Sequence, residues 1–109
     1  MIADMTGKVY VVQENNRIDY SDAERFGEIL FLTAEEIKPV TSSLRNQTIL
    51  ASIRRQMEDF NPSKDRMILT GNPMVIGYAF HLALLKSQSI VCLQWDRFTN
   101  QYREFLFNP

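Results

Sequence analysis

Hydrophobic and polar positions along the 109 residues fall into two repeating patterns. Residues 8–13, 28–33, 90–95 and 102–107 are short runs rich in β-branched and aromatic side chains, and each predicts a strand. Residues 67–69 form a shorter apolar run into Thr70-Gly71-Asn72-Pro73, which predicts a buried strand followed by a tight turn. Leu44, Ile49, Ile53, Met57 and Phe60 recur at helical spacing. They predict a helix opened by Thr41-Ser42-Ser43 and running to about Phe60, with Gln47, Arg54 and Glu58 on another face and Arg55 beside them. Residues 74–86 are almost entirely apolar and predict a second helix, with Asn72 as its N-cap and Pro73 at its first position. Apolar on every face, that helix is expected to be central and walled by other elements. It is too short for a bilayer span, which needs ~20 residues.

Turn formers punctuate these runs. Residues 14–17 break the first strand, and residues 19–27 predict one helical turn, capped by Ser21 or Asp22 and stopped by Gly27. Pro39 ends the short 34–37 segment, residues 61–65 terminate the first long helix, and residues 96–101 predict a hairpin. The order is ββαβαββ in a single domain, residues 1–109, with residues 1–7 expected as a flexible extension. The fold class is α/β (α+β): a mixed β-sheet of about five strands packed with two main helices. Two helices leave one sheet face open. Alternating Val91, Leu93 and Trp95 fit a half-covered sheet, and a free apolar face predicts a homo-oligomer.

Composition narrows the function. A net charge of −1 gives no general basic field for DNA or RNA. One cysteine, Cys92, excludes an internal disulfide and fits a reducing compartment. The first residues lack the regions of a signal peptide, so a cytoplasmic protein is expected, with Met5 an alternative start. The sequence holds no Gly-rich phosphate loop, no nucleophile elbow and no Cys or His pair at metal-ligand spacing. His81, inside the apolar helix, reads as a hydrogen-bonded core histidine rather than a base. Cys92 reads as a packing residue, and Asp19, Asp22 and Glu24 as a solvated, self-capping turn rather than a catalytic carboxylate pair. The expectation is a protein without metal or cofactor that is not an enzyme.

Three groups suit binding, and each has a plainer reading beside it. Thr70, Gly71 and Asn72 stand at a helix N-terminus, where a phosphate or ribose can be held, or form an ordinary capped turn. Arg54 and Arg55 can grip a pyrophosphate or simply cover a solvated helix face. Trp95-Asp96-Arg97-Phe98 joins an aromatic plane to a cation at a strand end, suited to stacking on a base; equally, Trp95 can belong to the core.

Residues 9–14, 19–27, 70–73 and 94–97 together resemble blocks of the phage Thoeris anti-defence proteins of the first type, and the resemblance spans residues 8–107. It implies a mixed sheet-and-helix protomer that forms a homo-oligomer, a dimer able to associate into a hexamer. It further implies a protein of the host cytoplasm that sequesters a cyclic ADP-ribose isomer, or a cyclic oligonucleotide, without cleaving it. Residues matching the family's contacts in kind are Arg54, Arg55, Asn72, Phe80, Trp95 and Arg97, with Thr70 added from the turn; Phe80 can equally be core. No nucleic-acid or membrane partner is implied. Two alternatives remain: a metal-free phosphodiesterase or ring nuclease that cuts a cyclic nucleotide, and a protein inhibitor of a host enzyme acting through the open sheet face.

Overall fold

The computed structural model describes residues 7–38 and 43–108. The proline stop at residue 39, the helix opening at 41 and 42 and residues 1–6 of the expected extension lie outside them, while Gly7, its last residue, is buried.

All five strands form where the β-branched, aromatic and apolar runs stand: β1 (Lys8–Gln13), β2 (Glu28–Thr33), β3 (Arg66–Ile68), β4 (Ile90–Asp96) and β5 (Gln101–Phe107). A 3-10 helix, Ser21–Phe26, joins β1 to β2, and two α-helices, α1 (Leu44–Met57) and α2 (Pro73–Leu84), make the next two crossovers. The sheet order is β2-β1-β3-β4-β5. The first four strands are parallel neighbours, and β5 returns antiparallel to β4 through a hairpin. The chain therefore reverses direction across the sheet between β1 and β3, the switch point of an open α/β sheet.

Side-chain alternation divides the core in two. Tyr10, Val12, Met67, Ile90 and Cys92 point to the face covered by α1 and α2, where they meet Ile53, Met57, Val75 and Ala79. Val9, Val11, Ile68 and Leu93 point to the other face, where Tyr20 and Ala23 of the 3-10 segment and Tyr102 of β5 pack on them. Only one short helical turn covers this second face among the described residues. Ser43, the last residue of the run expected to open the helix, caps α1 by accepting from the Asn46 N–H. Leu44, counted in the apolar stripe from its spacing, is 78% exposed because it precedes the first turn that touches the sheet.

The apolar helix is not central. α2 buries a narrow stripe, Val75, Ala79 and Ala83, at four-residue spacing, while Met74 and Gly77 face outward. Small residues let the helix lie close on the sheet, and the larger Ile76, Tyr78, Phe80, Leu82 and Leu84 pack along its flanks. His81 falls on the exposed side, so it is not a core histidine.

Two polar devices fix the loops. Asp65, 4% exposed, accepts from the backbone N–H of Lys8 and of Asn61, tying the segment before β3 to the start of β1. At the other end of β1 the buried Gln13 amide accepts from the Asn72 N–H and donates to the Glu35 carbonyl. Gly71 sits against it with φ +118°, and a Cβ there falls 2.4 Å from both Cβ and Oε1 of Gln13. Gly71→Ala is expected to cost about 2–3 kcal/mol, from positive φ and a clash with a hydrogen-bonded side chain. Chemical denaturation checks it; a loss below ~0.5 kcal/mol, the range of an unremarkable surface change, would refute the assignment.

Candidate functional site

The Thr-Gly-Asn-Pro turn follows β3 as expected, but its polar groups serve the fold. Asn72 Oδ1 accepts from the Met74 N–H at 2.8 Å, capping α2. Thr70 Oγ1 donates to the Gln13 carbonyl at 2.9 Å, which leaves it the acceptor for the Tyr20 hydroxyl at 3.2 Å. Tyr20 in turn accepts from the Asn15 N–H at 3.0 Å. This relay stitches the loop after β1 to the end of β3. The plainer reading of the turn accounts for these hydrogen bonds, and none of the turn's side-chain oxygens in the relay or the cap is without a partner.

Beside that turn a cavity of about 670 Å³ opens at the carboxyl ends of β3 and β4. Strand lengths create it: β3 stops at Ile68 and meets β4 at one rung, Met67 with Cys92, while β4 runs on to Asp96. Past that rung the two strands part. Ile68, Leu93, Trp95, Tyr102 and Phe105 make apolar and aromatic walls, with Thr70, Gln94 and Asp19 at polar points of the lining. Trp95 is 43% exposed and meets the Tyr102 ring edge-on, with centroids 5.1 Å apart.

The hydrogen-bond parity of β4 adds backbone groups to this wall. Tyr102, opposite Trp95, gives its N–H to Asp22 and its carbonyl to Arg25, both in the 3-10 helix, so its polar groups point away from β4. Trp95 is then a non-hydrogen-bonded partner of β5, and its own N–H and carbonyl face the gap left by β3. Flat aromatic walls with an exposed backbone donor and acceptor make a site shaped for a ring that carries hydrogen-bonding edges.

The titratable groups of the lining are held away from neutral pKa values. Burial pushes the Cys92 thiol up to about 11. Burial also raises the Tyr102 phenol, with Tyr20 and the carboxylates of Asp19 and Asp22 adding to it. The Ser21 backbone N–H, bonded at 2.9 Å, holds the Asp19 carboxyl below the usual carboxylate range. At neutral pH the cavity therefore presents a thiol, a phenol and a carboxylate, none poised to exchange a proton.

The residues singled out from the sequence separate into two groups. Thr70 and Trp95 line the cavity, Asn72 is two residues past Thr70, and Arg97 follows Trp95 into the exposed hairpin loop. Arg54 and Arg55 occupy the last turn of α1, whose end adjoins the end of α2 because Lys86 donates to the Glu58 and Phe60 carbonyls. They lie about a helix length, roughly 18 Å at 1.5 Å per residue, from the α2 N-terminus. Phe80 packs edge-on against Phe107, with centroids 4.9 Å apart, on the helix side of the sheet. Sequence reasoning missed Tyr102, Asp19 and Phe105. The pairing of Trp95 with Tyr102 across the hairpin was the available signal, since a four-residue loop sets that register.

A second, polar crevice of about 820 Å³ lies at the switch point, where Gln13, Asn15, Asn16, Gly71 and Asn72 meet Glu14, Arg17 and Glu36. Two carboxylates face the single Arg17 guanidinium there, and the crevice has no aromatic wall. Among the described residues no group of histidine, cysteine and carboxylate side chains is arranged to hold a metal ion, and no helix is long and apolar enough to cross a membrane.

No curated protein and no solved structure matches the chain. One family model does, the phage Pam3 gp32-like protein, over residues 7–109. That match meets the sequence resemblance at the level of a phage protein and does not extend to the Thoeris sponges. The chain belongs to the phage Pam3 gp32-like family.

Proposed function

We propose that this phage-family protein acts by holding a small ring-bearing ligand in the cavity beside Trp95 without altering it, the ligand being a cyclic ADP-ribose-type signalling nucleotide whose loss disarms host immunity. The observation that carries this reading is the cavity itself. Its volume falls within the ~300–1,000 Å³ of small-molecule sites, and its walls are mainly aromatic and apolar with a few fixed polar groups. Trp95 supplies a stacking plane for the base. Asp19, an exposed residue of the lining, turns the phosphates away from its side, and Arg97 stands at the same end of the sheet to meet them. Lining groups whose pKa values are driven away from neutrality favour retention over acid–base chemistry.

Incubating the protein with cyclic ADP-ribose isomers, removing it by heat and analysing the supernatant separates the possibilities. Intact nucleotide in stoichiometric amount is the expected result. Linearised or hydrolysed product would make the protein a ring-opening enzyme, and free nucleotide that never co-elutes with the protein would end the ligand reading.

A further inference from the structure

The outer edge of β5 is only partly protected. Asp22 and Arg25 occupy the N–H and carbonyl of Tyr102, as a neighbouring strand would. Parity then turns the N–H and carbonyl of Glu104 and Leu106 outward as well, since Arg103, Phe105 and Phe107 pair with Gln94, Cys92 and Ile90 of β4. Among the described residues no strand pairs with that side of β5. The same stretch exposes large apolar side chains, Phe105 at 52% and Leu106 at 60%. It carries no proline and no bulge, and its two charged residues, Glu104 and Arg103, are each drawn into an ion pair within the protomer, with Arg66 and Asp96.

The geometry points to a second copy of this chain as the occupant, paired antiparallel through β5 about a two-fold axis at Phe105. Side-chain alternation restricts symmetric pairing to registers centred on a residue. Centring on Glu104 sets two carboxylates opposite each other and centring on Arg103 sets two guanidinium groups together. Centring on Phe105 avoids both and, unlike centring on Leu106, keeps every paired residue from Arg103 to Phe107 within β5. Glu104 of each copy then meets Leu106 of the other, and the free N–H and carbonyl groups of these two residues make four hydrogen bonds. Phe105 faces its own mate as a close non-hydrogen-bonded pair, and Arg103 lies opposite Phe107. Tyr102 stays with the 3-10 helix, so the pairing stops at Arg103 opposite Phe107 and the chain beyond Phe107 must turn off the edge. Four half-exposed apolar side chains bury on the order of 400 Å², short of the ~1,200–2,000 Å² of a standard specific interface. The expected dimer is therefore concentration-dependent. This pairing does not rest on the ligand reading, although Phe105 also lines the cavity.

Sedimentation velocity of the full chain from micromolar to millimolar concentration is expected to show a monomer–dimer equilibrium. Leu106→Pro removes two of the four hydrogen bonds, using an N–H that the protomer's own sheet leaves free, and should weaken association at least about tenfold with the circular dichroism spectrum unchanged. In a Cys92→Ser background, Phe105→Cys should cross-link as a disulfide dimer on mild oxidation and Leu106→Cys should not. A wild-type monomer throughout the range, a Leu106→Pro dimer as strong as wild type, or cross-linking at 106 in place of 105 overturns the proposal. The cross-link decides the question alone if Leu106→Pro fails to fold.

Discussion

Asp65→Ala is expected to lower the free energy of unfolding by about 3–5 kcal/mol, a large effect for a single polar side chain. Asp65 Oδ1 accepts from the Lys8 N–H and Oδ2 from the Asn61 N–H, both at 2.7 Å, and no salt bridge among the described residues involves it. Truncation strands both donors at once. Each lost bond to a charged acceptor is worth ~1.5–3 kcal/mol, and water has little access, since the residue is 4% exposed. The loop that ends α1 would also lose its anchor to the first strand, where Gly7 lies against the Lys64 carbonyl. Asp65→Asn keeps one acceptor but turns an NH₂ toward an N–H, so about half of the loss is expected. Urea midpoints at unchanged slope measure both. A cost under ~1 kcal/mol for the alanine variant, no more than one neutral hydrogen bond, would mean the carboxylate does not carry the junction.

The second large effect concerns binding. Trp95→Ala should reduce affinity for a cyclic ADP-ribose-type ligand about 10–100-fold, corresponding to the ~1–3 kcal/mol of one base stacked on an aromatic ring. Arg54→Ala and Arg55→Ala should leave affinity unchanged, because both arginines stand about a helix length from the cavity end of α2. Calorimetric titration of the three variants decides between the sites. The opposite pattern, with the arginine variants crippled and Trp95→Ala at wild-type strength, would move the ligand to the exposed face of α1.

The sequence was most informative where local chemistry acts alone. Runs of β-branched, aromatic and apolar residues placed the strands, Asn72-Pro73 placed the start of α2, and the Asp96–Gln101 hairpin closes at residues 97–100 as its turn formers require. Burial was harder to read. The residues of α2 are hydrophobic all round, yet the sheet takes only its alanine–valine stripe, because small side chains permit close approach and the remaining surface faces outward. His81 changed environment for the same reason. Spacing could not reveal that Thr70 would spend its hydroxyl on Tyr20 and Gln13, since those partners lie 50 and 57 residues away in the chain. Nor could it show that β3 stops early. The cavity is a consequence of that three-residue strand beside the seven-residue β4, a mismatch that exists only once the strands are side by side. Arg54 and Arg55 looked usable because adjacent cations suit a pyrophosphate, but the direction of α1 was not visible in their spacing.

Trp95 is the sole tryptophan of the chain, so its fluorescence reports on the cavity with no other emitter of that kind. Titrating the unmodified protein with cyclic ADP-ribose isomers and following tryptophan emission tests the central claim most directly. Stacking of a base on the half-exposed indole should quench or shift the emission and saturate at one ligand per protomer. An emission spectrum that stays constant up to millimolar ligand, while the protein remains folded, would contradict a nucleotide site beside Trp95.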